Sequence, residues 1–195
     1  MNPNTLTALR DEKCFPLTFE AKSSSTYTSG SWDRPASNVG IFEDITTKPL
    51  ILGVGNLLMG DEGVGIVAIR RLEQTSVATR ADLVDGGTGG FHLLGYFRDR
   101  QHLILIDAAA DGQPIGTVSR IRPRYASDFP TSLTAHDIGL KDLLESAALL
   151  GDLPEVDLIT ISVGGIGSLT MELSPFVAAA IPQVEKLVRQ CLESS

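Results

Sequence analysis

The sequence is poor in cysteine, and this limits the chemistry available to its 195 residues. The two cysteines, Cys14 and Cys191, lie near opposite ends of the chain and form no CxxC pair. A disulfide framework and a cysteine-ligated zinc site are therefore excluded. So low a cysteine content is typical of a reducing compartment, and we predict a cytoplasmic protein.

Long apolar runs and an excess of basic residues are also lacking. The longest uncharged stretch, residues 158–171, contains three glycines and is shorter than the roughly 20 apolar residues that a membrane helix needs. No apolar segment near residue 1 has the character of a secretory signal. Lys and Arg total 16 against 24 for Asp and Glu, so the net charge of −8 repels phosphate. We predict no nucleic acid and no membrane among the partners.

Composition changes near Lys48. In residues 1–48, Ser, Thr, Asn, Gly and Pro occupy 21 positions, and the run 23–31 is typical of a linker. We predict a flexible or loosely docked extension over 1–48, within which Phe15, Leu17 and Phe19 alternate as in a short strand. Residues 49–195 are predicted to form one folded domain.

Strand patterns alternate with helix patterns throughout residues 49–195. Apolar runs followed by amphipathic segments predict an α/β fold, a three-layer sandwich with a mostly parallel central sheet of about five strands flanked by helices. The run 102–106 is almost wholly apolar, as expected for a central strand covered on both faces. The predicted strands are 50–54, 81–84, 102–106, 116–122 and 156–163, and the predicted helices are 61–76, 91–97, 137–150 and 174–192.

Three polar residues follow separate strands and form a candidate metal site. Sites in open α/β sheets lie at the carboxyl ends of the strands. Glu62 follows the first strand, Asp107 ends the third, and His136 opens a later helix. Two carboxylates and an imidazole make a plausible open site for a divalent transition metal. His92 and His102 are interpreted as a helix-surface and a strand-flanking residue.

Each candidate also has a purely structural interpretation. Glu62 in a first helical turn is favoured by the helix dipole. Asp107 is also suited to cap a turn. Thr134 and Asp137 have the spacing of a capping box, which would leave His136 an incidental first-turn residue. Nucleotide binding at the GxG of Gly53 is a weaker alternative, since the third glycine of the fingerprint is replaced by Leu58.

Four motifs, taken in order, resemble the hydrogenase maturation endopeptidases. They are LGVGNLLMGDEGVG at 52–65, DGGTGG at 85–90, LIDA at 105–108 and AHDIG at 135–139. The resemblance covers about residues 49–192. It implies an endopeptidase that removes the C-terminal extension of the nickel–iron hydrogenase large-subunit precursor after nickel insertion.

The resemblance also implies roles for individual residues. Glu62, Asp107 and His136 match the metal-ligand positions, and the metal is nickel supplied by the substrate, with no organic cofactor. The segment Asp85, Gly86, Gly87 and Thr88 matches a substrate-recognition loop. The extension 1–48 and the loop 163–168 depart from the family pattern.

Two other functions remain open from the sequence. A conventional zinc hydrolase would use the same three ligands and would retain stoichiometric metal. A non-catalytic module would check nickel, or bind a nucleotide on the glycine loop, without cleaving. Which group activates water, and the catalytic residue itself, are not readable from the sequence.

Overall fold

The computed structural model describes residues 48–123, 128, 140–151, 153–165 and 169–194. The predicted extension therefore lies outside the described residues except for Lys48, and so does the short strand predicted around Leu17. The strands are β1 Leu50–Gly53, β2 Asp82–Asp85, β3 His102–Ala109, β4 Val118–Ile121 and β5 Glu155–Ser162. The helices are α1 Val64–Leu72, α2 Leu94–Phe97, α3 Leu140–Leu150 and α4 Pro175–Glu193, with 3₁₀ turns at Gly60–Gly63, Ser76–Thr79 and Phe91–Leu93.

The five described strands form one sheet in the order β2-β1-β3-β5-β4. β1 pairs in parallel with β2 and β3, and β3 pairs in parallel with β5. β4 lies at one edge and is antiparallel to β5. The predicted mostly parallel sheet is confirmed, as is the placement of segment 116–122 near an edge.

Helices cover both faces of the sheet, which confirms the three-layer arrangement. Alternate residues of β3 face opposite ways: Ile104 and Ile106 pack in the core layer that contains α1 and α4, and Leu103 and Leu105 pack in the layer that contains α2 and α3. Every residue of β3 is buried. A strand with two apolar faces therefore occupies the centre of the sheet, as its composition predicts.

Two element bounds differ from the predictions at the end of the sheet where the candidate site lies. β3 does not stop at Ile106, because Asp107, Ala108 and Ala109 continue the ladder with β5. The helix predicted from Asp61 starts as the 3₁₀ turn Gly60–Gly63 and becomes α-helical only at Val64. Tight 3₁₀ turns are common at helix starts.

The last helix, α4, begins at Pro175, as predicted, and extends to Glu193. Proline suits the first turn because its missing N–H has no partner there in any case. Pro182 lies inside the helix on its exposed side, where water can bond the carbonyl that loses its donor. Within the part of the chain that the structure describes, no helix is long and apolar enough to cross a membrane.

Candidate active site

Glu62 lies in the 3₁₀ turn that follows β1 and is only 1% exposed. Its backbone carbonyl accepts a hydrogen bond from the Asn56 amide at 3.2 Å. An acid that served only the helix dipole would be expected in solvent, since charged residues are rarely fully buried. The burial of Glu62 therefore favours a specific role over the purely structural interpretation.

Glycines allow the turn that carries Glu62 to pack directly on the strands. A Cβ atom on Gly55, whose φ is 146°, would lie 2.0 Å from the Glu62 carbonyl oxygen. A Cβ atom on Gly65 would lie 2.4 Å from the carbonyl oxygen of Ile106. Both distances are too short for any side chain, so close packing of backbone on backbone explains these glycines. Nucleotide binding is not needed to account for them.

Asp107 lies inside β3 and is also only 1% exposed. Its Oδ1 accepts a hydrogen bond from the Ala108 amide at 2.7 Å. The predicted alternative of a cap on a turn after the strand is wrong, because β3 continues to Ala109. By the alternation along β3, the side chain of Asp107 shares the face of Leu105, on which α3 packs.

One loop ties the backbones of these two acidic positions together. The Val54 amide, just after β1, donates to the carbonyl of Ile106 at 3.0 Å, next to Asp107. Two residues on, the Asn56 amide holds the Glu62 carbonyl. Since β1 and β3 are parallel neighbours, both buried carboxylates lie at the same, carboxyl-terminal, edge of the sheet.

His136, the third predicted ligand, lies outside the described residues, together with Thr134 and Asp137. The described residues contain no group of three His, Cys, Asp or Glu side chains placed to hold a metal. A three-ligand site therefore needs a residue from beyond them. α3 starts four positions after His136 and ends shortly before β5 begins, so its first turn is directed to the carboxyl-terminal edge.

The predicted recognition loop lies at this edge as well. Asp85 ends β2, and its Oδ1 accepts the amide hydrogen of Gly87 at 3.0 Å. The Gly87 carbonyl in turn accepts from the Gly55 amide at 2.8 Å, which joins the loop to the glycine turn after β1. Gly86 is buried, whereas Asp85 and Thr88 are exposed. The side chain of Thr88 is therefore available to a partner, whereas the carboxylate of Asp85 also lies 3.7 Å from Arg70 Nη2 in an exposed ion pair.

A cleft of about 290 Å³ opens beside the turn that carries Glu62, and sequence reasoning did not predict it. The Ser174 amide, just before α4, donates to Asp61 Oδ1 at 2.6 Å and so connects the two walls. A contact between residues 113 positions apart leaves no local sequence signal, which is why the cleft was missed. The lining residues are Met59, Gly60, Asp61, Gly165, Thr170, Glu172, Leu173 and Ser174.

A second buried charged group, at the amino-terminal ends of β3 and β5, was also missed. His102, interpreted from the sequence as strand-flanking, is the first residue of β3 and only 5% exposed, and its Nε2 lies 2.9 Å from Asp157 Oδ2, a partner that the sequence did not predict. Arg120 and Arg122 each donate two hydrogen bonds to the Asp157 carboxylate, at 2.8–3.2 Å. The available signal was a single charged residue, Asp157, inside the otherwise uncharged run 156–163.

This charged group stabilises the ionised form of Asp157. Burial opposes ionisation, but hydrogen bonds from Arg120, Arg122 and His102 outweigh it and hold the pKa of Asp157 well below its ordinary value. The same hydrogen bonds raise the pKa of both guanidinium groups. Because the group lies at the opposite edge from Glu62 and Asp107, we interpret it as structural.

Comparisons with known proteins point to one family. The hydrogenase maturation protease family matches residues 66–191. The hydrogenase 2 maturation protease of Escherichia coli (strain K12) is 32% identical over 147 residues, covering 74% of this chain and 85% of that protein. The hydrogenase expression/formation protein HupD of Thiocapsa roseopersicina is 35% identical over 149 residues, covering 74% of this chain and 64% of that protein. The chain thus spans less than two thirds of the HupD relative.

Solved structures agree with the sequence comparisons. The hydrogenase maturating endopeptidase HybD from E. coli superposes with a TM-score of 0.67 at 30% identity, covering 76% of this chain and 93% of that one. The [NiFe] hydrogenase maturation protease HybD from Thermococcus kodakarensis gives a TM-score of 0.62 at 28% identity, covering 74% of this chain and 98% of that one. Both comparisons leave about a quarter of this chain unmatched.

Proposed function

We propose that this chain, which belongs to the hydrogenase maturation protease family, removes a C-terminal extension from the large-subunit precursor of a nickel–iron hydrogenase. Two buried carboxylates at one edge of the sheet, Glu62 and Asp107, are the observation that carries the proposal. In open α/β sheets, sites form at the carboxyl ends of the strands, and buried carboxylates placed there are candidates for a functional role.

Nickel enters this proposal as part of the substrate. The precursor brings the ion on its own cysteines, and Glu62, Asp107 and His136 supply further donors when it docks. Nickel accepts imidazole and tolerates carboxylate, whereas soft thiolates bind it more strongly. A donor set without thiolate is therefore expected to bind the free ion weakly and to recognise the ion when the precursor already holds it. The enzyme needs no organic cofactor in this scheme.

The same docking positions the peptide to be cut. A bound cation supplies Lewis-acid polarisation of a carbonyl or of a water. The side chains of this chain hold that cation at the edge of the sheet, while the exposed Asp85 and Thr88 are proposed to contact the precursor beside it, with Gly86 and Gly87 shaping their loop. The catalytic base is left unassigned.

The remaining parts of the proposal concern the rest of the chain. Residues 49–195 are proposed as the catalytic domain and residues 1–48 as an extension that cleavage does not require. The large-subunit precursor is the proposed partner, and the cytoplasm the proposed compartment, in line with the low cysteine content.

The decisive experiment compares a nickel-loaded with a nickel-free precursor at one neutral pH. We expect the purified protein to cleave only the loaded precursor. Equal cleavage of both precursors would show that the protein does not recognise nickel in its substrate. Binding without cleavage would establish the non-catalytic module instead. The metal content of the purified protein completes the test, because tightly retained stoichiometric zinc would establish the zinc hydrolase.

Two substitutions connect that assay to the proposed ligands. Glu62→Gln and Asp107→Asn keep the side-chain volumes and leave an oxygen that accepts hydrogen bonds, so the fold is expected to survive. We expect each to reduce cleavage of the loaded precursor at least 100-fold. Glu73→Gln, at an exposed glutamate just after α1, is the matched control. If either variant cleaves the loaded precursor at the wild-type rate, the substituted residue is not part of the proposed site.

A further inference from the structure

The segment 169–171 lies beside the glycine turn and pairs with it through one residue. Thr170 forms an isolated parallel bridge with Met59. The Thr170 amide donates to the carbonyl of Leu58 at 3.1 Å, and the Gly60 amide donates to the carbonyl of Thr170 at 2.7 Å. The inner side of this segment is therefore fully paired with the turn that leads to Glu62.

The outer side of the segment is open. The chain bends at Leu169 and Met171, on either side of Thr170, and the amide and carbonyl groups of these two residues take no part in the bridge with Met59. Within the described residues these backbone groups have no hydrogen-bond partner. The side chains of Leu169 and Met171 are 82% and 66% exposed, and nearby Leu58 is 57% exposed. The edge thus offers hydrogen-bonding groups flanked by apolar surface.

The cleft beside this edge is acidic. Asp61 and Glu172 line it, and no Lys, Arg or His is found among the lining residues that the structure describes. The hydroxyl of Ser174, which also lines it, is buried and has no hydrogen-bond partner within that part of the chain. At about 290 Å³, the cleft falls just below the size of typical small-molecule sites, roughly 300–1,000 Å³, and suits a single long side chain.

We propose that the precursor docks as an extended segment that adds a β-strand to residues 169–171. Its apolar side chains would cover Leu58, Leu169 and Met171, and a basic side chain would enter the cleft toward Asp61 and Glu172. Strand addition of this kind gains affinity from the main chain and specificity from pockets for individual side chains. This inference rests on the proposed function, because it names the occupant as the chain that is cleaved.

Continuity with the proposed metal site favours this occupant over a second copy of the protein. Met59, which pairs with Thr170, is three residues before Glu62, and Asp61 in the cleft is its direct neighbour. A peptide held on residues 169–171 therefore lies beside the turn that presents Glu62. The acidic cleft also selects against this protein's own surface, whose net charge is −8.

The apolar part of the edge is tested by the double substitution Leu169→Ala with Met171→Ala. Its matched control is Leu149→Ala with Leu150→Ala, because those leucines of α3 are 89% and 66% exposed and lie on another element. With nickel-loaded precursor, we expect the first pair to raise KM at least 10-fold and to change kcat less than 2-fold. The control pair should leave both constants unchanged.

The outcomes separate this inference from the proposed function. Wild-type cleavage of the loaded precursor is measured first, and its failure would count against the function itself. If the wild-type protein cleaves and Leu169→Ala with Met171→Ala leaves KM unchanged, the docking edge is wrong while the function stands. An equal rise in KM for the control pair would also contradict docking at residues 169–171, because the effect on KM would then not be specific to that segment.

The acidic cleft is tested by Glu172→Lys against Glu73→Lys, an exposed glutamate after α1. We expect only Glu172→Lys to raise KM. Precursors in which single Lys, Arg or His residues near the cut are replaced by Glu are then assayed with the Glu172→Lys protein. We expect one of them to recover most of the lost kcat/KM. If no precursor variant recovers kcat/KM, the proposal that a basic side chain enters the cleft is wrong. If Glu172→Lys leaves KM unchanged, the proposal that the precursor binds in the cleft is wrong.

Discussion

Nε2 of His102 lies 2.9 Å from Oδ2 of Asp157, so the first residue of β3 is joined to a carboxylate inside β5. The side chain of Asp157 is fully buried, and Arg120 and Arg122 approach the same carboxylate from β4 and the residue after it. One acid therefore connects three neighbouring strands at the amino-terminal edge of the sheet.

Replacing this acid should destabilise the fold more than any exposed acid does. Removing one partner of a buried ion pair typically costs about 3–5 kcal/mol, and the partial exposure of both arginines places Asp157→Asn near the lower end. We expect a fall in the melting temperature of roughly 6–12 °C, from about 2–4 °C per kcal/mol. Asp142→Asn should change it by less than 2 °C. Equal melting temperatures would contradict the structural role.

Asp157 also predicts a dependence of stability on acid. Its pKa is lower in the folded than in the unfolded protein, so its contribution to the free energy of unfolding is complete above the unfolded value, near 4. That contribution is lost as the pH falls from about 4 towards the lowered pKa. Denaturant titrations at pH 6, 4 and 3 should show a smaller acid loss in Asp157→Asn than in the wild type. Parallel losses in both would contradict this assignment.

Cys191 should be inert in the folded protein. It is fully buried on α4, and burial, together with the nearby Asp157 carboxylate, raises the pKa of its thiol to about 11. In a Cys14→Ser background, we expect a thiol reagent at pH 8 to label less than a tenth of the chains within an hour. Labelling should become complete in denaturant. Rapid labelling of the folded protein would show that α4 opens readily.

Gly65 should not tolerate a side chain. A Cβ there would lie 2.3 Å from the Val54 carbonyl oxygen and 2.4 Å from that of Ile106, so α1 would have to move off the sheet. We expect Gly65→Ala to cost about 3 kcal/mol or more, judged by the upper range of overpacking. Gly95→Ala on α2 is the control, because nothing lies within 4 Å of its Cβ position. A stability equal to the control would contradict the close packing.

His136→Ala separates the ligand role from an incidental first-turn position. We expect processing of nickel-loaded precursor to fall at least 100-fold while the melting temperature changes by less than about 2 °C. His92→Ala, at an exposed histidine, serves as the control. Wild-type processing by His136→Ala would refute the ligand assignment.

The order of the elements could be predicted from the sequence because burial acts locally on strands such as β3. The continuous leucine and isoleucine run of β3 predicts a strand that is covered on both faces. Because Glu62 and Asp107 each follow such a strand, the sequence also predicts that both lie at the same edge of the sheet. The partners of Asp157 could not be predicted in the same way. Arg120 and Arg122 reach it only because β4 turns back antiparallel to β5, and that pairing depends on contacts 35–37 residues apart.

His102 and Asp107 are both in β3, five residues apart and on opposite faces, or roughly 16 Å along the strand at about 3.3 Å per residue. Substitutions at sites farther apart than about 7–10 Å, with no shared partners, usually have additive effects on stability. Turnover and heat tolerance should therefore be separately adjustable traits. A designer seeking a more thermally robust processing enzyme can redesign the Asp157 end of the sheet without retuning the electrostatics of the end proposed to meet the precursor.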